Sequence, residues 1–304
     1  MKQIFTERMI YMLKYDDFKG IIINRIKDYV PEKYKEYNVE VTKVNKINES
    51  LDALCLIDKS KKVNTSPVVY IDNMYNYYKS GANMDMALQK AADIITEGFN
   101  MVTDKYVYDK NIKDNVVLVL INAEANKEFL KTIPHIKFLD LAFIFRWIIT
   151  KNVYGFSGSI INNSLLKTID LDTDELFELA KKNTIRLLPP KVVTLKNALR
   201  AMNAPDDLLD NTPEYPVFVL SNIYCVEGAA YIAFDDILSE IRNKLNENFY
   251  ILPSSINEAL IIPESFVTPD FVKEMVRDVN NTIVTKTDKL SNNIYYYNGE
   301  IKIL

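Results

Sequence analysis

Apolar and polar positions recur along this chain with two different periods. Tyr15, Phe18, Ile22, Ile26 and Tyr29 return every three or four places, the spacing of one helix face, and Pro31 closes the run. This predicts a helix from about Tyr15 to Val30. Residues 39–44 (VEVTKV) then alternate with period two, as a half-buried strand does, and 51–57 (LDALCLI) offers a pairing partner. Residues 67–71 (PVVYI) are β-branched and aromatic, which suits a strand or an extended entry into a helix. Asn83 is placed to cap a further helix whose apolar stripe is Leu88, Ala91, Ala92, Ile95, Phe99 and Val102.

The middle of the chain is less decisive. Residues 116–121 (VVLVLI) fit either a strand or a buried helix, and 139–149 (LDLAFIFRWII) lean towards strand through their aromatic and β-branched content. Asp172 and Glu175 form a capping box, with Leu171 able to staple onto Leu176, so a helix is expected from there to about Asn183. Residues 203–216 (NAPDDLLDNTPEYP) hold three prolines and four acids without apolar periodicity, and read as a linker between regions 1–202 and 217–304. Beyond it, YPVFVLSN and AAYIAF read as two strands around a loop with Gly228. A helix then runs from Asp235 or Asp236 to about Asn246, and FYILP and ALIIP read as two more strands. Thr268-Pro269-Asp270 opens a helix through Val279, and Asn298-Gly299 sits between two strand-like runs as a hairpin signal. The expected fold is α+β, with mostly antiparallel strands and a C-terminal ββαββα unit ending in a hairpin.

Charge and composition then remove several function classes. The 304 residues carry 37 basic and 41 acidic side chains, a net −4, which disfavours nonspecific nucleic-acid binding. Cys55 and Cys225 lie in apolar runs and read as two reduced, buried thiols; with one histidine in the chain, a zinc site has no ligand set. The apolar stretch Phe138–Ile149 is broken by Asp140 and Arg146, and the first 18 residues are charged throughout. No membrane span or signal peptide is expected, and the location expected is cytoplasmic. No glycine-rich nucleotide loop, Walker lysine or HExxH pattern occurs, so no cofactor is expected.

What chemistry remains is sparse. Ser254 and Ser255 lie between Pro253 and Glu258, with Asn257 between them and the acid. A serine needs a base to become a nucleophile, and an amide cannot serve; an ordinary serine turn is the simpler reading. His135 stands five residues before Asp140, and a base–carboxylate pair between them requires a turn, since residues five apart on a strand face opposite ways. Asp140 and Arg146, inside an apolar run, each need a partner if buried. Asp72, Tyr75 and Tyr78 make an aromatic and polar helix start, able to pack internally or to anchor a partner.

The ordered set SPVVYIDNMYNYY, PHIKFLDLAFIFR, NTIRLLPP, FYILPSSINEALIIP and NIYYYN resembles a family of Firmicutes proteins known only as a domain of unknown function, DUF5688. The resemblance spans about Leu13 to Tyr297. It implies architecture and a bacterial or mobile-element origin, and no reaction. In that family pattern the residue after Ser-Ser-Ile is usually histidine, where this chain has Asn257; the His135–Asp140 segment and Glu258 match it. The leading expectation is a non-enzymatic protein-binding factor of a bacterium or mobile element, acting on a host or defence protein, with Asp72, Tyr75, Tyr78 and Asn257 as binding candidates. The alternative is a hydrolase-like enzyme using His135, Asp140 and the Ser254–Glu258 turn.

Overall fold

The computed structural model describes residues 12–60, 66–101, 112–152, 155–210, 212, 216–253 and 255–304. The chain divides into two compact units, residues 1–107 and 108–304. In the first, helix α1 (Tyr15–Tyr29) precedes strands β1 (Asn38–Lys46), β2 (Glu49–Ile57) and β3 (Val68–Tyr70), then helices α2 (Ile71–Lys79) and α3 (Met84–Met101). The strands form an antiparallel sheet in the order β1-β2-β3. The period-3.6 stripe of α1 does what its spacing implies: Phe18, Ile22 and Ile26 are fully buried against Leu54 and Leu56 of β2 and Leu88, Ala91 and Ile95 of α3. Each such side chain contributes about 1.5–3 kcal/mol through burial. The Asn83 cap is formed, its Oδ1 accepting from the Met86 amide at 2.8 Å. Val102, the last position of the predicted stripe, lies outside the described residues.

The second unit holds two sheets. In one, the long strand β6 (Leu141–Asn152) pairs antiparallel with β4 (Val116–Asn122), β5 (His135–Phe138) and β7 (Gly155–Ile160); the short helix α4 (Lys127–Leu130) lies between β4 and β5. Both ambiguous apolar runs are therefore strands. The first six residues of β4 are all buried, so it carries apolar side chains on both faces and no alternation to read. Helix α5 (Asn163–Ile169) is followed by α6 (Thr173–Leu187), whose capping box is complete: the Glu175 amide donates to Asp172 and the Asp172 amide to Glu175. Helix α6 runs four residues past the predicted end, because Asn183 and Thr184 are buried against β4 and the turn that leads into it. The Asn183 amide bonds the Lys113 carbonyl, and the Thr184 hydroxyl accepts from Leu118 N.

The other sheet has six strands in the order β13-β12-β10-β11-β9-β8, each pair antiparallel. Its members are β8 (Pro190–Thr194), β9 (Phe218–Asn222), β10 (Phe249–Leu252), β11 (Ala259–Pro263), β12 (Tyr295–Tyr297) and β13 (Ile301–Ile303). Helices α7 (Leu195–Ala201) and α8 (Asp206–Asp210) lie between β8 and β9, which are hydrogen-bonded neighbours; the acidic segment 203–216 thus connects two adjacent strands inside the second unit. Helix α9 (Asp235–Leu245) packs on one sheet face through Leu238 and Ile241, and α10 (Pro269–Thr282) on the other through Val272 and Val276. The α+β class holds, with antiparallel sheets throughout the described residues.

Two expectations are corrected. AAYIAF is not a strand: Gly228–Ala233 is a 3₁₀ turn. Gly228 N and Ala229 N donate to the carbonyls of Asn257 and Ile256, at 3.0 and 3.2 Å, which docks this buried segment on a turn rather than on a ladder. The C-terminal unit is accordingly βαββα with a terminal hairpin. Cys225 is exposed on the loop before that turn and Cys55 is half-buried, so only the free state of the two thiols matches the expectation. No helix among the described residues is long and apolar enough to cross a membrane.

Candidate functional site

Strand β8 is the last strand of its sheet, and the register fixes what its outer edge offers. Leu195 N donates to Val217 O, and Ile223 N donates to Pro189 O. In an antiparallel ladder the bonding direction alternates, so residues 191 and 193 turn their backbone groups towards β9, and residues 190, 192 and 194 turn theirs away from the sheet. The N–H and C=O of Val192 have no partner among the described residues. Pro190, beside it, has no N–H to leave unpaired, a common feature of edge strands.

A groove of about 260 Å³ runs alongside this edge, between β8 and α9. Pro190, Val192 and Phe218 form its strand side, sharing the sheet face that packs on α9; Ile237, Ile241 and Leu245 form the helix side. Val192 is 39% exposed, a high value for an apolar side chain on a sheet. Glu240 and Lys244 stand on the helix rim one turn apart and pair at 2.6 Å, so the groove combines apolar side chains with a charge-balanced lip. Such a place can take large apolar side chains and backbone hydrogen bonds.

A second constellation surrounds Asn257. Its backbone carbonyl accepts from Gly228 N and from the Ser221 hydroxyl, its side-chain carbonyl accepts from Glu227 N at 3.1 Å, and its backbone N–H donates to Ser255 Oγ at 3.0 Å. The loop so clamped holds Cys225 and Glu227 at φ 54° and 55°, a region costly for residues with a side chain. Glu227 is buried and takes a two-pronged ion pair from Arg146 of β6, Nε at 2.9 Å and Nη2 at 2.5 Å. Burial pushes the Glu227 carboxyl up, against the pull of Arg146. The partner that Arg146 required is thus present, on an element far away in sequence.

Among the described residues no hydrogen bond joins the remaining sequence candidates into one set, although Ser291, which binds Asp140, donates its N–H to Pro253 O beside the serine turn. His135 is exposed on β5 opposite Ile144, and its Nδ1 lies 3.1 Å from the Ile133 carbonyl. Asp140 sits with Leu139 (φ 55°) in the two-residue turn at the far end of the same hairpin. Its carboxylate accepts from Ser291 Oγ, Asn293 Nδ2 and the Tyr295 hydroxyl, which fastens the segment before β12. The structure therefore brings Asp140 to two hydroxyls and an amide rather than to His135. Ser255 is 5% exposed, bonded to Asn257 N and to Glu258, a closed turn rather than a presented nucleophile. Burial raises the Glu258 pKa, opposed by the Ser255 hydrogen bond and reinforced by Asp288. Ser254 lies outside the described residues. In the first unit, Asp72 accepts from Asp52 N at 2.7 Å, the Tyr75 hydroxyl donates to Leu13 O, and the Tyr78 oxygen accepts from Leu13 N. Tyr75 and Tyr78 also pack their rings on Phe18 of α1.

Sequence reasoning missed both the groove and Glu227. The groove joins two elements about forty residues apart, and β8 is only five residues long and opens on the second of two adjacent prolines. Glu227 carried a usable signal, an acid inside the apolar run IYCVEGAA, which implies a buried partner.

Compared with protein families, residues 15–299 match the model of a family of unknown function, DUF5688. No curated protein and no solved structure matches the chain.

Proposed function

The chain belongs to this family, DUF5688, and we propose that it is a non-enzymatic protein-binding factor of a bacterium or mobile element that docks a host or defence protein in the groove between β8 and α9. The observation that carries the reading is the coincidence of an open strand edge with an apolar groove that the chain's own described residues leave unfilled. Unpaired backbone groups on an open edge are a template for an added strand, and the groove offers side-chain contacts beside them. That no described hydrogen bond joins His135 or Asp140 to Ser255, whose one acidic partner is the half-buried Glu258, supports binding over hydrolysis.

The test uses the tagged full-length chain as bait in its native cells, beside three folded variants. Val192→Arg places a charge in the groove; His135→Ala and Glu258→Ala remove the candidate catalytic groups. A partner recovered with wild type, His135→Ala and Glu258→Ala, and lost with Val192→Arg, is the expected result. A partner retained by Val192→Arg, or a phenotype abolished by His135→Ala with the partner still bound, overturns the reading.

A further inference from the structure

We infer that the partner enters this groove as an extended segment, adding a seventh strand to the β8 edge and inserting large apolar side chains at alternate positions. This rests on the binding reading above and specifies its geometry. Three features of the edge favour a strand over a helix or a flat surface. Val192 presents both a donor and an acceptor outward, the pair that a neighbouring antiparallel residue exchanges with it. The groove lies on the face that Val192 itself points to, so every second side chain of an added strand falls into it and the others face away. The lip is a matched acid and base, Glu240 and Lys244, which is complementary to an uncharged apolar stretch and repels neither end of it.

A second copy of this chain fits less well. Two-fold pairing of β8 with itself would bring Pro190, Val192 and Thr194 of each copy to the same face, and Pro190 and Val192 already line the groove. Paired about Val192, Pro190 of each copy would face Thr194 of the other and leave that Thr194 carbonyl without a donor. A foreign segment carrying Leu, Ile or Phe at positions i and i+2 fills the space instead. The absent N–H of Pro190 and the turn into α7 after Thr194 limit the added ladder to the rungs around Val192. Recognition is therefore short, and its specificity resides in the side chains.

The experiment pans phage-displayed random dodecapeptides on the full-length chain and titrates enriched peptides against wild type, Val192→Pro and Val192→Arg. Proline at 192 removes an N–H that the fold does not use, on an edge where proline is tolerated, so the variant should stay folded by circular dichroism. Expected are peptides with apolar residues at i and i+2, at least a tenfold loss of affinity with Val192→Pro, and a similar loss when the central peptide amide is N-methylated. Peptides spaced at i, i+3, i+4 and i+7, lost with Val192→Arg but unaffected by Val192→Pro, would overturn strand addition while leaving the binding function intact. A concentration-dependent dimer by light scattering, dissociated by Val192→Pro, would put a second copy at the edge and overturn the inference. No enriched peptide from a monomeric chain would overturn inference and binding function together.

Discussion

Replacing Arg146 by methionine isolates what the buried ion pair does. The substitution keeps the length of the side chain and leaves Glu227, 6% exposed, without its counter-charge. Burial alone then acts on that carboxyl, and the folded protein can relieve it only by taking up a proton. Protonating a carboxyl of ordinary pKa near 4.3 at pH 7 costs about 1.4 kcal/mol per pH unit, or ~3.7 kcal/mol, which sets a ceiling on the destabilisation. The loss expected for breaking a buried pair, about 3–5 kcal/mol, lies at that ceiling, so ~3 kcal/mol is the expected value at neutral pH. The sign with pH follows from linkage. Burial already raises the folded pKa in the wild type and the loss of Arg146 raises it further, so the variant's folded form holds more protons and its stability falls more steeply as pH rises from about 4.3. The gap to wild type should shrink to under ~1 kcal/mol near pH 4.5. Trp147, the single tryptophan, adjoins the site and reports the second unit alone, so urea transitions followed by its fluorescence measure the relevant stability. Adding Glu227→Gln to Arg146→Met should restore most of the loss at pH 7. A variant within about 0.5 kcal/mol of wild type, or a gap that does not move with pH, would refute the reasoning.

Three further outcomes follow from the same structure. Gly228→Ala would place a Cβ 2.3 Å from Ser221 Oγ and 2.7 Å from the Asn257 carbonyl, so the clamp must open; the expected cost is about 2–3 kcal/mol in the same urea assay. Glu258→Gln removes an acid whose pKa is raised by burial, hence one that favours the fold when protonated. Its melting temperature should exceed that of wild type at pH 8, and the difference should vanish by pH 4. Asp52 behaves oppositely: burial opposes its ionisation, but Lys19, Tyr15 and Lys43 outweigh that and hold its pKa at about 2. Its contribution is present above the ordinary carboxylate range and lost as pH falls towards about 2. Hydrogen exchange in α1 and β2 should accelerate across that window, and Asp52→Asn should be destabilised at pH 7 and lack the acid-dependent change.

The sequence was most legible where a side chain reports a local rule. The stripe of α1, the Asn83 cap, the Asp172–Glu175 box, the Thr268-Pro269 start of α10 and the Asn298-Gly299 hairpin each depend on residues within a few positions of one another, and each is in place. It was ambiguous at β4, where burial on both faces erases the period. It misled at Gly228–Ala233, whose apolar composition suits a strand but whose backbone is held by the turn at Asn257. Tertiary contact overrode local pattern there, as it did in extending α6 to Leu187. The candidate site was the least visible part. Arg146 announced that it needed a partner without naming Glu227. The groove depends on the edge position of β8 and the placement of α9, which no local pattern encodes.

Residue-resolved hydrogen exchange along β8, with and without a peptide selected on the full-length chain, tests the binding reading most directly. In the free chain the Val192 amide should exchange rapidly while Lys191 and Val193, turned towards β9, are protected; the peptide should slow Val192 and leave its two neighbours unchanged. A Val192 amide already protected in the free chain, or one that a tightly bound peptide leaves fast, would contradict strand addition at this edge.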